Sequence, residues 1–360
     1  MKSSAALLFQ PPASDLQPQD LATAHALPAE FYTHSGLERS DRQAVFARSW
    51  QLVARTDQLR EPGDHVLADI AGVPLLLVHG DDGELRALHN VCRHRAGPLA
   101  LCDGRGLKAL RCHYHGWVYN LRGELRGAPE MDDAADFDLK SIQLPQAQIA
   151  VWRNLVFAAL QPAVSLAETL TGIDERIGVI EEYAFHQRVS YDVDCHWKVY
   201  VDNFLEGYHL PLVHPGLNRL LDYRSYRTEI SDWHSLQWSP LEQGDAIYGN
   251  GQAWYYFIYP NTMLNILPGR LQTNRVIPLG LERCRVIFDY YYADHQQTAA
   301  ADAEFSDQIQ DEDIAICEAV QRNLMSGSYR AGRLNPKRES GVHHFHERLR
   351  QAYREWLASA

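Results

Sequence analysis

The chain has 360 residues, 46% of them hydrophobic and 22% charged, which is the composition of an ordinary globular protein. Its 46 acidic residues outnumber its 34 basic residues, and a net charge of -12 has the wrong sign for a protein that binds a phosphate backbone. The length predicts about two domains, and the charge excludes nucleic acid from the expected partners.

The sequence predicts no targeting or membrane segment. The apolar run at residues 5–9 is too short for the hydrophobic region of a signal peptide, and no stretch approaches the ~20 apolar residues of a membrane span. The six cysteines show no disulfide-framework spacing. We therefore expect a cytoplasmic protein that does not bind membranes and whose cysteines, apart from any metal ligands, are reduced.

The first half of the chain begins with helical spacing and then changes period. Residues 28–50 predict an amphipathic helical lead-in, whereas residues 65–70, 73–78 and 84–89 alternate with turn residues and predict short strands. We expect three regions. They are a lead-in over residues 1–47 that packs on the second domain, a strand-rich domain over 48–160, and a second domain over 161–360.

Two short loops of the strand-rich domain each offer one cysteine thiolate and one histidine imidazole. They are Cys92-Arg93-His94 and Cys112-His113-Tyr114-His115. A [2Fe-2S] cluster with cysteines on one iron and histidines on the other needs this set of ligands. Zinc also accepts two sulfurs and two nitrogens, but zinc fingers usually pair cysteine with cysteine and histidine with histidine. The mixed loops therefore favour the cluster over zinc.

Around these loops, at residues 92–97 and 112–119, the chain resembles the Rieske domain of ring-hydroxylating and demethylating oxygenases. The resemblance implies an all-β domain that binds a [2Fe-2S] Rieske cluster. The implied ligands are Cys92, His94, Cys112 and His115. His113 has the wrong offset from Cys112 for the second loop, and we interpret it as a surface or hydrogen-bonding histidine.

The second half of the chain predicts helices around an antiparallel sheet. Helical spacing returns over residues 166–183, and two further helices are predicted near the carboxyl terminus, over 302–324 and 342–357. Runs rich in aromatic and β-branched residues between them predict strands over residues 189–195, 253–259, 272–279 and 284–292. The expected fold class is α+β, an all-β domain followed by an antiparallel sheet covered by helices.

A histidine pair, His209 and His214, follows a predicted amphipathic helix. The buried face of that helix is predicted to carry Trp197, Tyr200, Val201, Phe204 and Tyr208. On an unbroken helix the two histidines would point about 140° apart, but Pro211 is expected to break the helix and let them converge. A lone histidine pair is more often structural than metal-binding, so the spacing alone leaves both interpretations open.

The segment from Asn203 to His214 resembles the iron-binding helix of Rieske oxygenases, with the motif N-F/Y…E/D…Y-H-x4-H. The resemblance implies that His209 and His214 bind a mononuclear Fe(II), that a carboxylate within residues 310–318 completes the site, and that Asn203 belongs to the catalytic group. The apolar, buried arc of the predicted helix carries Phe305, Ile309, Ile316, Val320 and Leu324. Asp313 falls inside this arc, and Glu312 lies just beyond its edge. We predict Asp313 as the third ligand, with Glu312 as the alternative in another helical register.

Glu206 lies three residues before His209. In the family that the chain resembles, the acid at this offset bridges an iron histidine to a cluster histidine of the neighbouring subunit. Glu206 is therefore expected to connect the two metals electronically and to orient both imidazoles, and the bridge implies a homotrimer. A solvated surface glutamate is the alternative.

Substrate residues are the least determined part of the sequence. Residues 257–261, 263–265, 284–290 and 343–346 resemble the choline monooxygenase-like branch, whose members act on small quaternary ammonium compounds. An ammonium group needs aromatic faces, which Trp254, Tyr255, Tyr256 and Trp197 could supply, although such aromatics are more often sheet core. Of these four, Trp254 is predicted to face the ammonium group. Arg270 is predicted to bind a substrate carboxylate, which favours a betaine over choline, and a solvated turn residue is the alternative.

These observations predict the terminal component of a Rieske oxygenase system. It would use O2 and electrons from a separate NAD(P)H-dependent flavin or iron-sulfur reductase, because no G-x-G-x-x-G follows a strand. The predicted reaction hydroxylates or demethylates a quaternary ammonium or betaine-like compound. The alternatives are an aromatic acid as substrate of the same machinery, and a redox or zinc-binding protein without catalysis.

Overall fold

The computed structural model describes residues 8–241, 247–293 and 299–359, and the chain forms two compact units. One unit, Phe46–Leu166, is called the loop unit because it carries both Cys-His loops. The other, called the helix-sheet unit, combines Met1–Val45 with Ala167–Ala360. Among the described residues, no helix combines the length and the apolar character that crossing a membrane requires.

The regular elements follow one another in this order. The helices are α1 (Glu30–Thr33), α2 (Leu37–Ala44), α3 (Leu166–Thr169), α4 (Trp197–Phe204), α5 (Leu210–Val213), α6 (Pro215–Leu220), α7 (Ala299–Met325) and α8 (Ser340–Ser359). The strands of the loop unit are β1 (Gln51–Arg55), β2 (His65–Ile70), β3 (Val73–His79), β4 (Leu85–His89), β5 (Leu110–Arg111), β6 (Val118–Tyr119), β7 (Leu125–Gly127), β8 (Gln146–Trp152) and β9 (Leu155–Ala159). The strands of the helix-sheet unit are β10 (Ala184–Val193), β11 (Arg227–Ile230), β12 (His234–Pro240), β13 (Gln252–Ile258), β14 (Thr262–Leu267), β15 (Arg270–Pro278) and β16 (Cys284–Tyr292).

The loop unit is built from two antiparallel sheets. The larger has six strands in the order β1-β9-β8-β4-β3-β2, and the smaller has the order β5-β6-β7. Ala71 and Gly72 join β2 to β3 with φ angles of 56° and 80°, the two positive values that a tight hairpin with right-handed strand twist requires. The Cys-His loops extend from this framework, and their cysteines join its core together with Trp117 and Tyr119.

The helix-sheet unit has one antiparallel sheet of seven strands in the order β10-β16-β15-β14-β13-β12-β11. The central strands are buried on both faces: all six residues of β14 are buried, and nearly all of β16 is buried or half-buried. Helices contribute most of the remaining elements of the unit. The α+β fold class predicted from the sequence is therefore confirmed.

Asp41, on α2, anchors the amino-terminal helices to the rest of the helix-sheet unit. Its carboxylate accepts hydrogen bonds from Lys198 Nζ and from Trp197 Nε1, each at 2.8 Å, and all three side chains are buried. Burial lowers the pKa of Lys198, and Asp41 counters part of that shift. A buried ion pair of this kind is costly to break from one side, so it fixes the start of α4 against α2.

Some predicted elements differ from those observed. The helix predicted over residues 166–183 forms only α3, because turns follow and Gly172 adopts a φ of 86°, a conformation that ends helices. The lead-in over 28–50 is two short helices, with Gly36 between them at the start of α2. The strand predicted at 189–195 is β10, which begins earlier at Ala184. The two carboxy-terminal helices are confirmed and are slightly longer than predicted.

Candidate metal centres

The two Cys-His loops have the same backbone conformation. In each, the cysteine N–H donates to the carbonyl five residues later, Gly97 for Cys92 and Trp117 for Cys112, at 2.9 and 2.8 Å. The residue four positions after each cysteine donates back to the cysteine carbonyl. Those two residues, Ala96 and Gly116, both have positive φ. The chain therefore presents two equivalent tight loops, although the histidine lies at a different offset in each.

The loops separate the sulfurs from the imidazoles. Cys92 and Cys112 are both 3% exposed, whereas His94 and His115 lie toward the surface with their ring centroids 4.6 Å apart. The His94 ring stacks on Trp117 at 4.8 Å, which limits its rotation. A buried sulfur pair and an outer imidazole pair fit a cluster whose two irons have different ligands.

Polar groups surround the two sulfurs. Tyr119 Oη lies 3.2 Å from Cys92 Sγ, and the backbone N–H of Tyr114 donates to Cys112 Sγ at 3.5 Å. Burial raises the pKa of the Cys92 thiol, and the neighbouring Cys112 adds to the rise, whereas the hydrogen bond with Tyr119 opposes it. Hydrogen bonds to cluster-binding sulfurs are one of the means by which proteins adjust cluster potential, so these donors suit thiolate ligands.

His113 lies in the same loop as His115 but differs in environment. Its backbone N–H donates to the carbonyl of Pro98 at 3.0 Å, which ties the two loops together, and its side chain is exposed. The His115 ring, in contrast, contacts both His94 and Tyr114. This placement suits His113 as a surface residue and His115 as the partner of His94.

His209, His214 and Asp313 form the second site. Among the described residues, they are the one group of three potential ligands whose donor atoms all lie within 4.8 Å of one another. Asp313 Oδ1 lies 3.0 Å from His214 Nε2 and 3.9 Å from His209 Nε2. Two imidazoles and one carboxylate facing one point are the donor set of a facial non-haem Fe(II) site with open positions.

The histidines converge for a different reason from the one predicted. Helix α4 already ends at Phe204, and Pro211 lies in the first turn of α5 rather than at a break. Gly207 lies in the intervening turn, where a β-carbon would come within 2.7 Å of the Tyr226 ring. Tyr208 was predicted to lie on the buried face but is 53% exposed, because the helical spacing does not continue to its position.

Each side chain of this candidate site has a hydrogen-bonding partner. Glu206 Oε1 lies 2.6 Å from His209 Nδ1, and Glu312 Oε2 lies 2.7 Å from His214 Nδ1. The amide of Asn203 donates to Asp313 Oδ1 at 2.5 Å. Burial lowers the pKa of His214, but Asp313 and Glu312 outweigh it, so the pKa is raised. The sequence pointed to Glu206 and Asn203, whereas Glu312 appeared there only as an alternative to Asp313.

A cavity of about 110 Å³ opens beside these residues, within the helix-sheet unit. Aromatic rings form much of its wall: Phe204, Tyr226, Tyr248, Tyr255, Phe288 and Phe305. Trp254 was predicted to face the substrate, but in the described part of the chain it lies outside the lining. Its indole Nε1 donates to Gln252 instead, at 3.2 Å. Side chains alternate across a strand, so Tyr255 faces the cavity and Trp254 does not.

Arg270 lines the same cavity and is 4% exposed, so it is not a solvated turn residue. Its Nε donates to Asp302 at 2.7 Å, its Nη2 donates to Gln272, and Tyr248 and Tyr292 also donate to Asp302. Burial lowers the pKa of Arg270, but Asp302 and the tyrosines outweigh it, so the pKa is raised. No local pattern in the sequence marks Asp302, which meets Arg270 only in the fold.

A second cavity, of about 450 Å³, reaches the same candidate site. Glu206, His209 and Asn203 line both cavities. Ile316 and Val320, predicted to lie on a buried arc of α7, are 37% and 39% exposed and line this second cavity. The apolar arc of α7 therefore borders a cavity rather than a fully packed core.

Both units match known families. Residues 49–154 match the family described as the Rieske [2Fe-2S] domain, and residues 180–355 match the ring hydroxylating alpha subunit (catalytic domain).

Full-length relatives share both domains. Chloroplastic choline monooxygenase from Arabidopsis thaliana is 34% identical over 91% of this chain and 82% of its own length. The carnitine monooxygenase oxygenase subunit of Escherichia coli (strain K12) is 30% identical over 92% of this chain and 95% of its own. The solved structure of the quaternary ammonium Rieske monooxygenase CntA with L-carnitine has a TM-score of 0.84 and 26% identity, and the match covers 96% of this chain and all of that one.

Proposed function

This chain belongs to the Rieske non-haem iron oxygenases, in the branch of the choline and carnitine monooxygenases, and we propose that it oxidises a small betaine-like quaternary ammonium compound. It is an oxidoreductase that uses O2, with a [2Fe-2S] Rieske cluster and a mononuclear iron as cofactors. The observation that carries the proposed substrate class is the aromatic cavity beside His209, His214 and Asp313, with Arg270 in its wall.

We assign the two cofactors to the two sets of ligands described above. Cys92, Cys112, His94 and His115 would hold the cluster, in a domain over residues 48–160, and His209, His214 and Asp313 would hold the iron, in a domain over 161–360. When bound, the cluster supplies electrons one at a time and the iron activates O2. The side chains keep the donor atoms in place: Trp117 restrains His94, and the amide of Asn203 holds Asp313.

The cavity wall supplies both halves of betaine recognition. Aromatic faces such as Tyr226, Tyr255 and Phe288 attract a quaternary ammonium group. Arg270 uses Nε and Nη2 on Asp302 and Gln272, and within the described residues Nη1 makes no hydrogen bond, so it can donate to a substrate carboxylate. Because Asp302 balances the charge of Arg270, the pair does not repel the ammonium group as an isolated arginine would.

The chemical change fits one oxygen atom entering the substrate. A C–H bond becomes C–OH, the other oxygen atom leaves as water, and two electrons and two protons are consumed. At an N-methyl carbon, the hydroxylated product would break down to formaldehyde and a tertiary amine. We propose that the electrons come from NAD(P)H through a separate flavin and iron-sulfur reductase, since the sequence has no dinucleotide-binding motif of its own.

Glu206 is proposed as the bridge to the cluster of a neighbouring subunit in a homotrimer. It contacts His209 Nδ1 and also lines the second cavity, so a group that enters this cavity can reach the iron ligand through one carboxylate. His94 or His115 of a neighbouring copy is the expected partner. We also propose a cytoplasmic location, because the four cysteines outside the proposed cluster ligands form no disulfide, as a reducing compartment favours.

The test of this function is NADH-linked O2 uptake with a surrogate reductase. The substrates are carnitine, γ-butyrobetaine, glycine betaine, choline and an aromatic acid, and formaldehyde and amine products are measured as well. We expect uptake coupled to product with at least one betaine. Uptake with the aromatic acid alone would contradict the proposed substrate class.

The matched variant is Arg270→Lys, which keeps the positive charge beside Asp302 but loses the planar set of donors. We expect KM for a betaine to rise about 10-fold, the scale of one charged hydrogen bond, while KM for choline changes little. Arg283→Lys is the control, because Arg283 is exposed and pairs with Asp192 on the surface. Equal changes in KM for a betaine and for choline would show that Arg270 does not bind the substrate carboxylate.

A further inference from the structure

Glu312 contacts the iron site without belonging to the proposed ligand set. It is on α7, next to Asp313, and its Oε2 lies 2.7 Å from His214 Nδ1. Its other oxygen accepts a hydrogen bond from Gln308 Nε2 at 3.0 Å, one helical turn earlier. Both carboxylate oxygens are thus occupied, and the side chain is 24% exposed.

The His214 ring is held between two consecutive residues of α7. Glu312 faces Nδ1 and Asp313 faces Nε2, and the ring itself is 1% exposed. A neutral imidazole carries one proton, so an Nδ1–H donated to Glu312 leaves the Nε2 lone pair directed toward Asp313, where a metal would lie. The geometry also places Glu312 on the far side of the ring from the donor atoms that converge, which favours Asp313 over Glu312 as the ligand.

A carboxylate at this site could also contact a substrate in the first cavity or a group that enters the second, but Glu312 does neither. In the described part of the chain, the linings of both cavities include Glu206 but not Glu312. Glu312 therefore contacts neither a substrate in the first cavity nor a group entering the second. Among the described residues, its polar contacts are with His214 and Gln308.

We propose that Glu312 is a positioning residue that fixes the tautomer and orientation of His214 and thereby raises the affinity of the site for iron. This inference rests on the proposed iron-binding function. The segment 312–313 then supplies both a ligand and the residue that orients another ligand, so α7 sets two of the three donors at once. Partners of this kind typically change metal affinity by about 10–100-fold.

The test uses the full-length protein with its cluster, stripped of mononuclear iron by a chelator and titrated with Fe(II) without oxygen. Nitric oxide is then added, and the EPR signal of the iron-nitrosyl adduct reports both occupancy and ligand geometry. Glu312→Gln should weaken Fe(II) binding about 10–100-fold and alter the shape of the nitrosyl signal. Far-UV circular dichroism and the midpoint of chemical unfolding should match wild type, which shows that the variant is folded, and the cluster EPR signal should be unchanged.

Two further variants keep the test decisive. Asp311→Asn removes a neighbouring, exposed acid on the same helix and should leave iron affinity at the wild-type value. Gln308→Ala frees Glu312 from its second contact and should weaken iron binding, but less than Glu312→Gln does. This variant tests the proposal independently if Glu312→Gln folds poorly. Wild-type affinity and signal shape in Glu312→Gln, or equal losses in Asp311→Asn, would overturn the proposal.

Failure of this inference is distinguishable from failure of the proposed function. If wild-type protein binds Fe(II) and oxidises a betaine while Glu312→Gln behaves like wild type, the function stands and the positioning role is wrong. If wild-type protein binds no Fe(II) at this site, or is loaded with iron and oxidises no quaternary ammonium compound, the proposed function is wrong.

Discussion

The loop unit and the helix-sheet unit build their metal centres in opposite ways. In the loop unit, each cysteine lies two or three residues from its histidine, and hydrogen bonds within the loop hold both. In the helix-sheet unit, Asp313 is 99 residues from His214, and the site exists only when α7 packs beside the histidines. The first centre is largely a local conformation, whereas the second is a product of tertiary packing.

The two centres also differ in exposure. His94 is exposed, so electrons can reach that edge from another protein group, whereas His214 is 1% exposed and is held by carboxylates on both ring nitrogens. These opposite environments suit the proposed roles, an accessible electron-transfer centre in the loop unit and a shielded oxygen-activating centre in the helix-sheet unit. The comparison therefore predicts that each centre can be damaged without the other.

The largest expected effect is the loss of the tertiary site. Asp313→Ala removes the one proposed ligand that α7 supplies, so mononuclear iron should be lost and turnover should fall more than about 100-fold, beyond the usual cost of losing a group that only orients a ligand. Iron analysis and O2 uptake measure this, with Asp311→Ala as the control. The cluster EPR signal should remain, and its loss would show that the two centres are not independent.

In the loop unit we expect an equally severe effect in which the cluster, rather than the mononuclear iron, is lost. His115→Asn should abolish the Rieske EPR signal and turnover while iron at the second site remains. The same substitution at His113, two residues earlier in the loop, should preserve both centres because that side chain is exposed. Loss of the cluster from His113→Asn with retention in His115→Asn would reverse the ligand assignment.

Removing the link between the centres should have a smaller effect on turnover than removing a ligand of either centre. Glu206→Gln keeps the size of the side chain but removes its charge, so with Fe(II) in excess both metals should remain bound while O2 consumption slows about 10–100-fold. Stopped-flow oxidation of the reduced cluster in the presence of substrate measures the step directly. Cluster oxidation at the wild-type rate would exclude the proposed bridge.

The local character of the loop unit can be tested at Gly97. A β-carbon there would lie 2.7 Å from Cys112 Sγ and 2.8 Å from the β-carbon of Tyr114, so Gly97→Ala should destabilise the unit by about 1–3 kcal/mol and lower cluster occupancy. Gly127→Ala is the matched control, because its nearest neighbour, Val118, is 3.9 Å away. Similar cluster occupancy in the two variants would show that the loops are less tightly packed than described.

The smallest expected effect concerns acid sensitivity of the helix-sheet unit. Burial lowers the pKa of His234 from 6.5 to about 4, so below pH 6.5 the unfolded chain binds a proton that the folded chain does not. Stability should therefore fall as the pH decreases from about 6.5 to 4, by roughly 1–2 kcal/mol at pH 5. His234→Phe should flatten this dependence in chemical denaturation, whereas the same change at the exposed His25 should not.

The difference between the units explains how much of the structure could be predicted from the sequence alone. Elements with periodic patterns and local turn residues were predicted close to their observed bounds. They are strands β2, β3 and β4 and the long helices α7 and α8. The α5–α6 segment was harder, because the turn that brings His209 and His214 together depends on the contact of Gly207 with Tyr226.

The substrate cavity was the least predictable part. Trp254 and Tyr255, both candidates from the sequence, lie on opposite faces of one strand, and the pattern of β13 does not reveal which face borders a cavity. Asp302 and Arg270 form an ion pair across 32 residues, and Glu312 meets His214 across 98. Such pairs follow from packing, which no local sequence pattern records.

Metal and sulfide analysis combined with EPR tests most directly the claim that one chain carries two separate iron centres. Anaerobically purified protein should contain about three irons and about two acid-labile sulfides per chain, and should show a Rieske-type signal after reduction. Asp313→Ala should then contain about two irons with unchanged sulfide and signal. Zinc in place of iron, or a loss of sulfide together with the third iron, would contradict the account.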